Sequence, residues 1–294
     1  MSLDKKDQSL LYYLENNCRE SLSSIGRKIR VSKEVLTYRL HRLEEKGIIK
    51  RYEAIVNDFA LGLQQYRILC SVKDPHAFLE IIRQKTHMLA RTRKLSKWNI
   101  DIAVWAKSNA QFQTEFDELL QIEDSMANVS IMLITKRYSL LHSRIHGKQQ
   151  VKELHTKIVN IDEKSRYLLS LLKIDARIPA TELAKKLKIS AVAVAKKIKQ
   201  LQKNNIIIGT RVVIDTQKLQ YAEYQIHMTC KHMNEKEKLR KMLLVYPHIT
   251  GLRMLIGEFT IEVICEVVDP NEIAKFLSHI QTHVELKKFD IALL

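Results

Sequence analysis

The sequence predicts an α+β fold in which each of two winged helix-turn-helix units is followed by a ferredoxin-like βαββαβ domain. Three observations predict it: a repeat at an offset of 158 residues, three short amphipathic helices in each repeat, and a regular order of strand and helix patterns after each repeat. With 294 residues, 46% of them hydrophobic, the chain is long enough for several domains that each bury a core.

The repeat is the strongest of the three signals. Residues 3–57 align with residues 161–215 without a gap, and eleven aligned positions are identical. The identities include Asp4/Asp162, Leu10/Leu168, Leu11/Leu169, Leu14/Leu172, Arg19/Arg177, Ser32/Ser190, Leu43/Leu201, Ile48/Ile206 and Ile49/Ile207. A match of this length implies two copies of one structural unit.

Each copy reads as three helices and a strand. An apolar stripe at i, i+1 and i+4 (Leu10, Leu11, Leu14) marks the first helix, and small polar residues mark the helix starts. The predicted N-caps are Asp4, Ser23 and Ser32 in the first copy and Asp162, Thr181 and Ser190 in the second. Two helices joined by a tight turn form a helix-turn-helix, and the strands that end at Val56 and Ile214 are expected to close their own units.

A strand-helix-strand-strand-helix-strand order follows each helical copy, which is the ferredoxin-like order. In the first copy the elements are predicted at 66–72, 75–83, 88–95, 100–105, 112–120 and 129–135. In the second they are predicted at 224–229, 235–245, 249–255, 260–267, 272–280 and 286–293. The predicted domains are therefore 1–57, 58–135, 161–215 and 216–294, with a basic linker at 136–160. A solvated connector is the expected form of the linker, and a paired strand or a DNA-tracking segment is the alternative.

The charge of the chain points to a polyanionic partner. Lys plus Arg number 49 and Asp plus Glu number 33, a net charge of +16. Nucleic acid is the first candidate for such a partner and an acidic membrane surface is the second. The absence of an apolar run near the roughly 20 residues that span a bilayer, and of a secretory signal at the start, predicts a cytoplasmic protein. The four cysteines lack CxxC spacing, so we expect buried reduced thiols.

The segment SKEVLTYRLHRLEEKGIIKRY at 32–52 resembles the feast/famine (Lrp/AsnC) transcriptional regulators, and SAVAVAKKIKQLQKNNIIIGT at 190–210 follows the same pattern more loosely. The resemblance covers nearly the whole chain. It implies that the third helix of each unit enters the major groove of double-stranded DNA and that the βαββαβ domains sense a small-molecule effector. It also implies that the two sensor domains pair as an internal pseudo-dimer, and that the chain forms a homodimer.

The third helices hold the candidate DNA-binding residues, since side chains near the start of such a helix reach base edges. These residues are Ser32, Lys33, Glu34, Thr37, Tyr38, Arg39 and Arg42 in the first copy and Ser190, Lys196, Lys197 and Lys199 in the second. Lys33 suits guanine and Thr37 suits a thymine methyl, whereas Arg39 and Arg42 are placed for phosphates. Val35, Leu40 and Leu43 are expected to face the core.

The two third helices differ in chemistry. The first turn of the second one, residues 191–195, is Ala-Val-Ala-Val-Ala, with almost nothing to hydrogen-bond a base. Residues 160–214 carry twelve basic and four acidic residues (+8), whereas residues 1–57 carry twelve and eight (+4). We therefore expect the second unit to hold phosphates while the first unit reads sequence.

The family carries a Gly-x-x-Asp turn beside its effector pocket, and neither copy here keeps it whole, so a different ligand, or none, is the alternative to amino-acid sensing. The first copy has Trp98-Asn99-Ile100-Asp101 and the second has Gly257-Glu258-Phe259-Thr260. The candidate effector-binding residues are Trp98, Asn99, Asp101, Gly257, Glu258 and Thr260.

An enzyme is the main alternative. Siroheme decarboxylases resemble this fold, occur as paired or fused copies and bind a tetrapyrrole between sensor domains. Their His- and Asn-rich stretch corresponds here to ARTRKLSKWNIDIAVW, which has Asn99 but no histidine. A protein-binding adaptor is the third alternative, and the basic helix faces argue against it.

No catalytic residue, cofactor or metal site is predicted. The pairs His142/His146 and His279/His283 have the i, i+4 spacing of metal ligands on a helix, but no third ligand stands near either pair in sequence.

Overall fold

The computed structural model describes residues 3–85, 87–142, 149–154 and 157–294. The helices are α1 (Lys5–Asn16), α2 (Leu22–Ile29), α3 (Lys33–Glu45), α4 (Pro75–Ile82), α5 (Asn109–Ile122), α6 (Glu163–Ile174), α7 (Ala180–Leu187), α8 (Ala191–Lys203), α9 (Lys236–Val245) and α10 (Asn271–Gln281). The strands are β1 (Ile49–Val56), β2 (Gln64–Ser71), β3 (Met88–Thr92), β4 (Ile100–Ala106), β5 (Ala127–His142), β6 (Gln149–Glu153), β7 (Ile207–Ile214), β8 (Ala222–Cys230), β9 (Ile249–Gly257), β10 (Ile261–Val267) and β11 (Leu286–Leu293).

The chain forms two compact units. The helical unit contains both helix-turn-helix copies, α1–β1 and α6–β7, and the sheet unit contains both βαββαβ copies. The predicted α+β fold class is confirmed. Among the described helices, none has the length and apolarity needed to cross a membrane.

The N-caps agree with the sequence at four of six helices. The side chains of Asp4, Asp162, Ser32 and Ser190 each accept a hydrogen bond from a backbone N–H of the first turn. The predicted caps of the second helices are wrong. The Ser21 hydroxyl caps α2 by accepting from the Ser24 N–H, and α7 follows Pro179, which has no side-chain acceptor. Both helices thus begin before Ser23 and Thr181, because the extended backbone at 21 and 179 already ends the preceding turn.

The strand that ends each helical copy pairs with the other copy. Strands β1 and β7 form one antiparallel ribbon, with Tyr52 opposite Val212 and Ala54 opposite Thr210. The expectation that each strand closes its own unit is therefore wrong. Helix α6 packs on β1 and helix α1 packs on β7, so that the side chains of both copies meet on each face of the ribbon.

This exchange gives the helical unit two shared cores. One contains Leu10, Leu11 and Leu14 of α1 together with Val212 and Ile214 of the second copy. The other contains the leucines of α6 together with Ala54 and Val56 of the first copy. Neither copy completes its core from its own residues.

The sheet unit contains two four-stranded sheets joined edge to edge. The first sheet (β2–β5) has the order β5-β2-β4-β3 and the second sheet (β8–β11) has the order β11-β8-β10-β9, both ferredoxin-like. They join where β5 pairs with β9, and Lys94 and Leu293 form a backbone bridge between their far edges. Gly257 lies at the β5–β9 junction with φ +145°, where an added Cβ would stand 2.6 Å from the Ile131 carbonyl oxygen, so close approach of the strands requires glycine.

Each sheet has one apolar face and one polar face. The apolar faces pack under α4 and α5 in the first sheet and under α9 and α10 in the second. All four cysteines are buried and free, as the sequence predicted. The opposite faces carry charged side chains that are nonetheless buried, among them Arg67, Arg93, Asp101 and Glu262.

Much of the predicted linker is strand. Strand β5 continues to His142, and β6 pairs back on it with Tyr138 opposite Glu153. The solvated connector is therefore wrong for 136–142 and 149–153, where the strand alternative is confirmed. Residues 143–148 and 155–156 of this segment lie outside the described residues.

Candidate nucleic-acid interface and candidate effector site

The third helix of the first copy presents a polar surface because its leucines face inward. Leu36, Leu40 and Leu43 are buried at i, i+4 and i+7. Val35 was expected in the core and is 44% exposed, so that position was wrong and Leu36 holds it. The reason is the helical period: Leu36, and not Val35, is one turn from Leu40.

The exposed face of α3 contains Lys33, Glu34, Thr37, Tyr38 and His41. Tyr38 is 67% exposed, a high value for a large aromatic side chain. The Thr37 hydroxyl donates to the Lys33 carbonyl oxygen at 2.9 Å, and the residue is exposed. Hydrogen bonds from its own backbone N–H and from Ser32 lower the pKa of Glu34, so the helix start carries a stable negative charge beside Lys33.

Two of the arginines predicted to hold phosphates are bound to α1. Arg39 Nη1 lies 2.6 Å from Asp4 Oδ2 and 2.8 Å from Asp7 Oδ1, and Arg42 Nη2 also pairs with Asp7. Both guanidinium groups are partly buried by these contacts. These contacts fix α3 against α1, and phosphate binding by Arg39 and Arg42 stays a prediction.

The second copy repeats this clamp at the equivalent position. Lys197 Nζ, which aligns with Arg39, lies 2.6 Å from Asp162 and 3.2 Å from the Ser165 hydroxyl. These contacts lower the pKa of Asp162 far below its usual range, the hydrogen bond from Lys197 first among them. Lys197 thus holds α8 against the start of α6, whereas Lys196 and Lys199 are exposed on α8, and DNA contact by all three stays a prediction.

The start of α8 is apolar and open. After the Ser190 cap, Val192 is 80% exposed, while Val194 and Leu201 face the core. The contrast with α3 that the sequence predicted is present in the structure: one helix start carries Lys33 and Glu34, and the other carries small aliphatic side chains.

The shared ribbon adds basic residues that the sequence reading did not single out. On its exposed side Glu53 pairs with Arg51 at 2.9 Å and with Arg211 at 2.7 Å, and Lys50 lies 3.2 Å from Asp215. The signal was the basic residue at Arg211, opposite Glu53, which becomes meaningful only once β1 is known to pair with β7.

Some effector candidates of the first copy lie close to those of the second copy. Trp98 is buried, its indole N–H donates to the Asn128 carbonyl oxygen, and its ring meets Phe259 edge-on at 5.9 Å. Lys97 Nζ stands 4.0 Å over the Trp98 ring and 3.9 Å from Glu258. The structure thus brings Trp98 and Glu258 together through Lys97.

Glu258 is held between two lysines, with Lys288 Nζ at 3.4 Å on the other side. Burial would raise the pKa of Glu258, but the Ser130 hydroxyl and the two lysines lower it overall. The chain's own carboxylate therefore occupies a position suited to an anion beside two aromatic rings.

The other effector candidates make contacts within the sheet unit, and effector binding by them stays a prediction. The Asn99 side chain donates to the Val72 carbonyl oxygen at 2.8 Å and accepts from the Val72 N–H at 2.9 Å. Thr260 Oγ1 lies 3.4 Å from the Met228 carbonyl oxygen, and Gly257 allows the β5–β9 contact described above. Asp101 is fully buried in a charged cluster away from solvent.

That cluster was missed by the sequence reading. Arg67 contacts both Asp101 at 3.2 Å and Glu262 at 3.0 Å, and Gln225 donates to the same two carboxylates at 2.9 and 3.3 Å. Burial alone would raise the pKa of both carboxyl groups, but the nearby guanidinium groups lower both pKa values below the usual range. The sequence signal for this cluster was a charged residue within each of two strands, Arg67 in β2 and Glu262 in β10. The other sheet covers both positions.

No group of three or more potential metal ligands occurs within 3–85, 87–142, 149–154 and 157–294. The rings of His279 and His283 lie 4.9 Å apart. His146, and with it the His142/His146 pair, lies outside the described residues.

Comparison with known proteins places both helical copies in one class. A family model for the AsnC-type helix-turn-helix domain matches residues 161–202, and one for a winged helix-turn-helix DNA-binding domain matches residues 3–50. The HTH-type transcriptional regulator LrpA of Pyrococcus horikoshii is 31% identical over 119 residues, which cover 40% of this chain and 84% of the relative. The regulator Ptr1 of Methanocaldococcus jannaschii is 39% identical over 67 residues, which cover 23% of this chain and 45% of the relative.

A solved structure matches the tandem arrangement. The siroheme decarboxylase NirDL superposes with a TM-score of 0.66 over 98% of this chain and 90% of that protein, at 11% sequence identity. At that identity the likeness establishes a shared fold. The LrpA relative and the two helix-turn-helix matches show that the chain belongs to the Lrp/AsnC family of HTH-type transcriptional regulators and contains the family's unit twice.

Proposed function

We propose that this regulator binds double-stranded DNA sequence-specifically, and that one chain supplies both reading helices. The observation that carries the proposal is the helical unit itself, in which α3 and α8 are capped alike, clamped alike to α1 and α6, and joined through one ribbon. Family members that carry the unit once need two chains to present two such helices.

The chemistry of α3 fits base recognition. Lys33 can donate to guanine O6 or N7, Glu34 can accept from cytosine N4, and the methyl of Thr37 can contact thymine. Tyr38 adds an exposed ring and a hydroxyl on the same face. Because Arg39 and Arg42 are held by α1, sequence reading rests on these four residues.

The chemistry of α8 fits phosphate binding. Lys196 and Lys199 are exposed and lie beyond the apolar first turn, in the copy with the larger positive charge. Such contacts position a protein on DNA without reading its sequence. The apolar Val192 at the start of α8 can contact a thymine methyl and little else.

We further propose that a small anionic effector binds beside Trp98 and Phe259, where it would take the place of the Glu258 carboxylate between Lys97 and Lys288. The two lysines would pair with a compact carboxylate ligand, and the cation–π contacts of Lys97 with Trp98 and of Lys288 with Phe259 hold both ammonium groups in place.

The regulator and the decarboxylase readings are separated by one experiment on the purified full chain. We expect a colourless protein whose affinity for duplex DNA falls steeply with salt. A plot of log K against the logarithm of the salt concentration should have a slope of about −0.9 for each phosphate contact. The regulator proposal fails if the chain binds a tetrapyrrole at a one-to-one ratio and shows no affinity for duplex DNA.

The two reading helices are expected to respond differently to alanine. Lys33→Ala should reduce discrimination between cognate and scrambled duplexes by about 1–3 kcal/mol, because a base contact is lost. Lys196→Ala should weaken binding to both duplexes equally and reduce the salt slope by about one unit. Fluorescence anisotropy at several salt concentrations measures both effects.

Lys275→Ala is the matched control, since it removes one positive charge from an exposed helix of the sheet unit. Equal losses on both duplexes for Lys33→Ala would show that α3 does not read bases.

A further inference from the structure

Four ion pairs between the two sheets have the same polarity. In each of these four, the base belongs to the first sheet copy and the acid to the second. The pairs are Arg67–Glu262, Arg91–Glu223, Arg93–Asp290 and Lys97–Glu258, at 3.0, 3.1, 2.6 and 3.9 Å. A chance distribution of surface charges would mix the two polarities.

Two of these pairs are buried deeply enough to matter. Arg93 is fully buried, and it donates to Asp290 and to the Gln225 amide oxygen. Arg67 and Glu262 are buried as well. An ion that loses its partner at such a position is strongly destabilising, whereas exposed pairs contribute little.

The cluster at the centre is almost symmetric between the copies. Arg91 stands opposite Asp101 on β3 and β4, and Arg253 stands opposite Glu262 at the matching place on β9 and β10. The copies differ at neighbouring positions, where β2 carries Arg67 and Leu69 and β8 carries Gln225 and His227.

The difference between Arg67 and Gln225 places one guanidinium group and one amide between the two carboxylates. Arg67 and Gln225 each reach both Asp101 and Glu262. Two first sheets packed face to face would place two copies of Arg67 and of Arg93 together, without Glu262 or Asp290 to receive them. Two second sheets would bury Glu262 and Asp290 without Arg67 or Arg93.

We propose that the charges on the polar face of the first sheet are complementary to those on the polar face of the second sheet. Two copies of the first face would repel each other. This complementarity makes the tandem chain a self-contained pseudo-dimer, closed at this face to other copies of the chain. The proposal does not depend on DNA binding, since it rests on contacts within the sheet unit.

The test reverses one charge of the Arg93–Asp290 pair in each of two full-length chains. A disulfide between the chains then reports which sheets have paired. Lys94 and Leu293 are bridged backbone partners, and residues so placed lie about 5.5 Å apart at Cα, within disulfide range. One chain carries Arg93→Asp with Lys94→Cys, and the other carries Asp290→Arg with Leu293→Cys. The native cysteines are buried.

Each variant chain then has like charges between its own sheets, and only exchange between chains restores opposite charges. We expect co-expression and oxidation to yield the disulfide-linked heterodimer at about tenfold or more the level given by the two cysteine variants with native charges, since a factor of ten needs only 1.36 kcal/mol. Equal cross-linking in the two mixtures would overturn the proposal.

If the two charge-reversed chains fold poorly, a second measurement tests the proposal. The single chain with both Arg93→Asp and Asp290→Arg restores an opposite-charge pair, so its unfolding midpoint should recover most of what either substitution alone removes. A double variant that loses the sum of the two single effects would also overturn the proposal.

Discussion

Replacing Glu262 by glutamine is expected to reduce the free energy of unfolding of the sheet unit by about 3–5 kcal/mol, the cost of breaking a buried ion pair. The carboxylate receives Arg67 at 3.0 Å and is also paired with Arg253, and Arg67 and Glu262 are buried while Arg253 is partly buried. Glutamine keeps the shape but removes the negative charge that both guanidinium groups contact, and leaves Arg67 paired with Asp101. Urea unfolding followed by circular dichroism measures the loss.

The same variant should also respond less to acid. Because neighbouring guanidinium groups lower the pKa of Glu262 in the folded chain, its carboxylate stabilises the fold above the unfolded pKa of about 4.3. That contribution is lost as the pH falls below 4.3 towards the lower folded pKa, so Glu262→Gln should flatten the fall in stability there. Glu118→Gln, which removes an exposed partner of Lys85, is the control and should leave the unfolding curve in place. A similar curve for both variants would contradict the buried-cluster account.

Replacing Leu11 by alanine is expected to cost about 2–5 kcal/mol and to loosen both helical copies together. Leu11 is almost fully buried in a core that contains Val212 and Ile214 of the second copy. A cavity beside α1 therefore weakens the contact of α1 with β7, and β7 pairs in turn with β1. Hydrogen exchange of the amides of β7, together with urea unfolding, measures the spread of the effect.

Val192→Ala is the matched control, because this side chain is mostly exposed on α8 and contributes no core contact. The shared-core account would be contradicted if Leu11→Ala increased exchange in the first copy while the β7 amides kept their protection.

Local patterns predicted most elements of this fold. The leucine stripe of α1, the Ser32 and Ser190 caps and the alternation of β2 and β8 each depend on residues near in sequence, and the structure contains all of them. The partner of a strand is a different question. The pattern of β1 records which of its faces is apolar, but nothing local records that β7, 158 residues away, is the strand that pairs with it.

The candidate sites show the same boundary. The exposure of Lys33 and Tyr38 followed from the helical period, whereas the pairing of Arg39 with Asp4 and Asp7 depends on how α3 packs on α1. A repeat alignment could have found this clamp, because Asp4 and Asp162 are identical and Arg39 aligns with Lys197. The buried cluster was harder to predict, since Arg67 and Glu262 look like ordinary exposed positions until the two sheets are seen to face each other.

Selection of bound duplexes from a random pool by the full-length chain tests the central claim most directly, that one chain presents two unequal reading helices. The account predicts one strong half-site beside a degenerate one, at a fixed spacing, because α3 carries Lys33, Glu34 and Tyr38 while α8 begins with alanines and valines. Enrichment of two identical inverted half-sites would contradict it, since that pattern requires two copies of α3 from two chains.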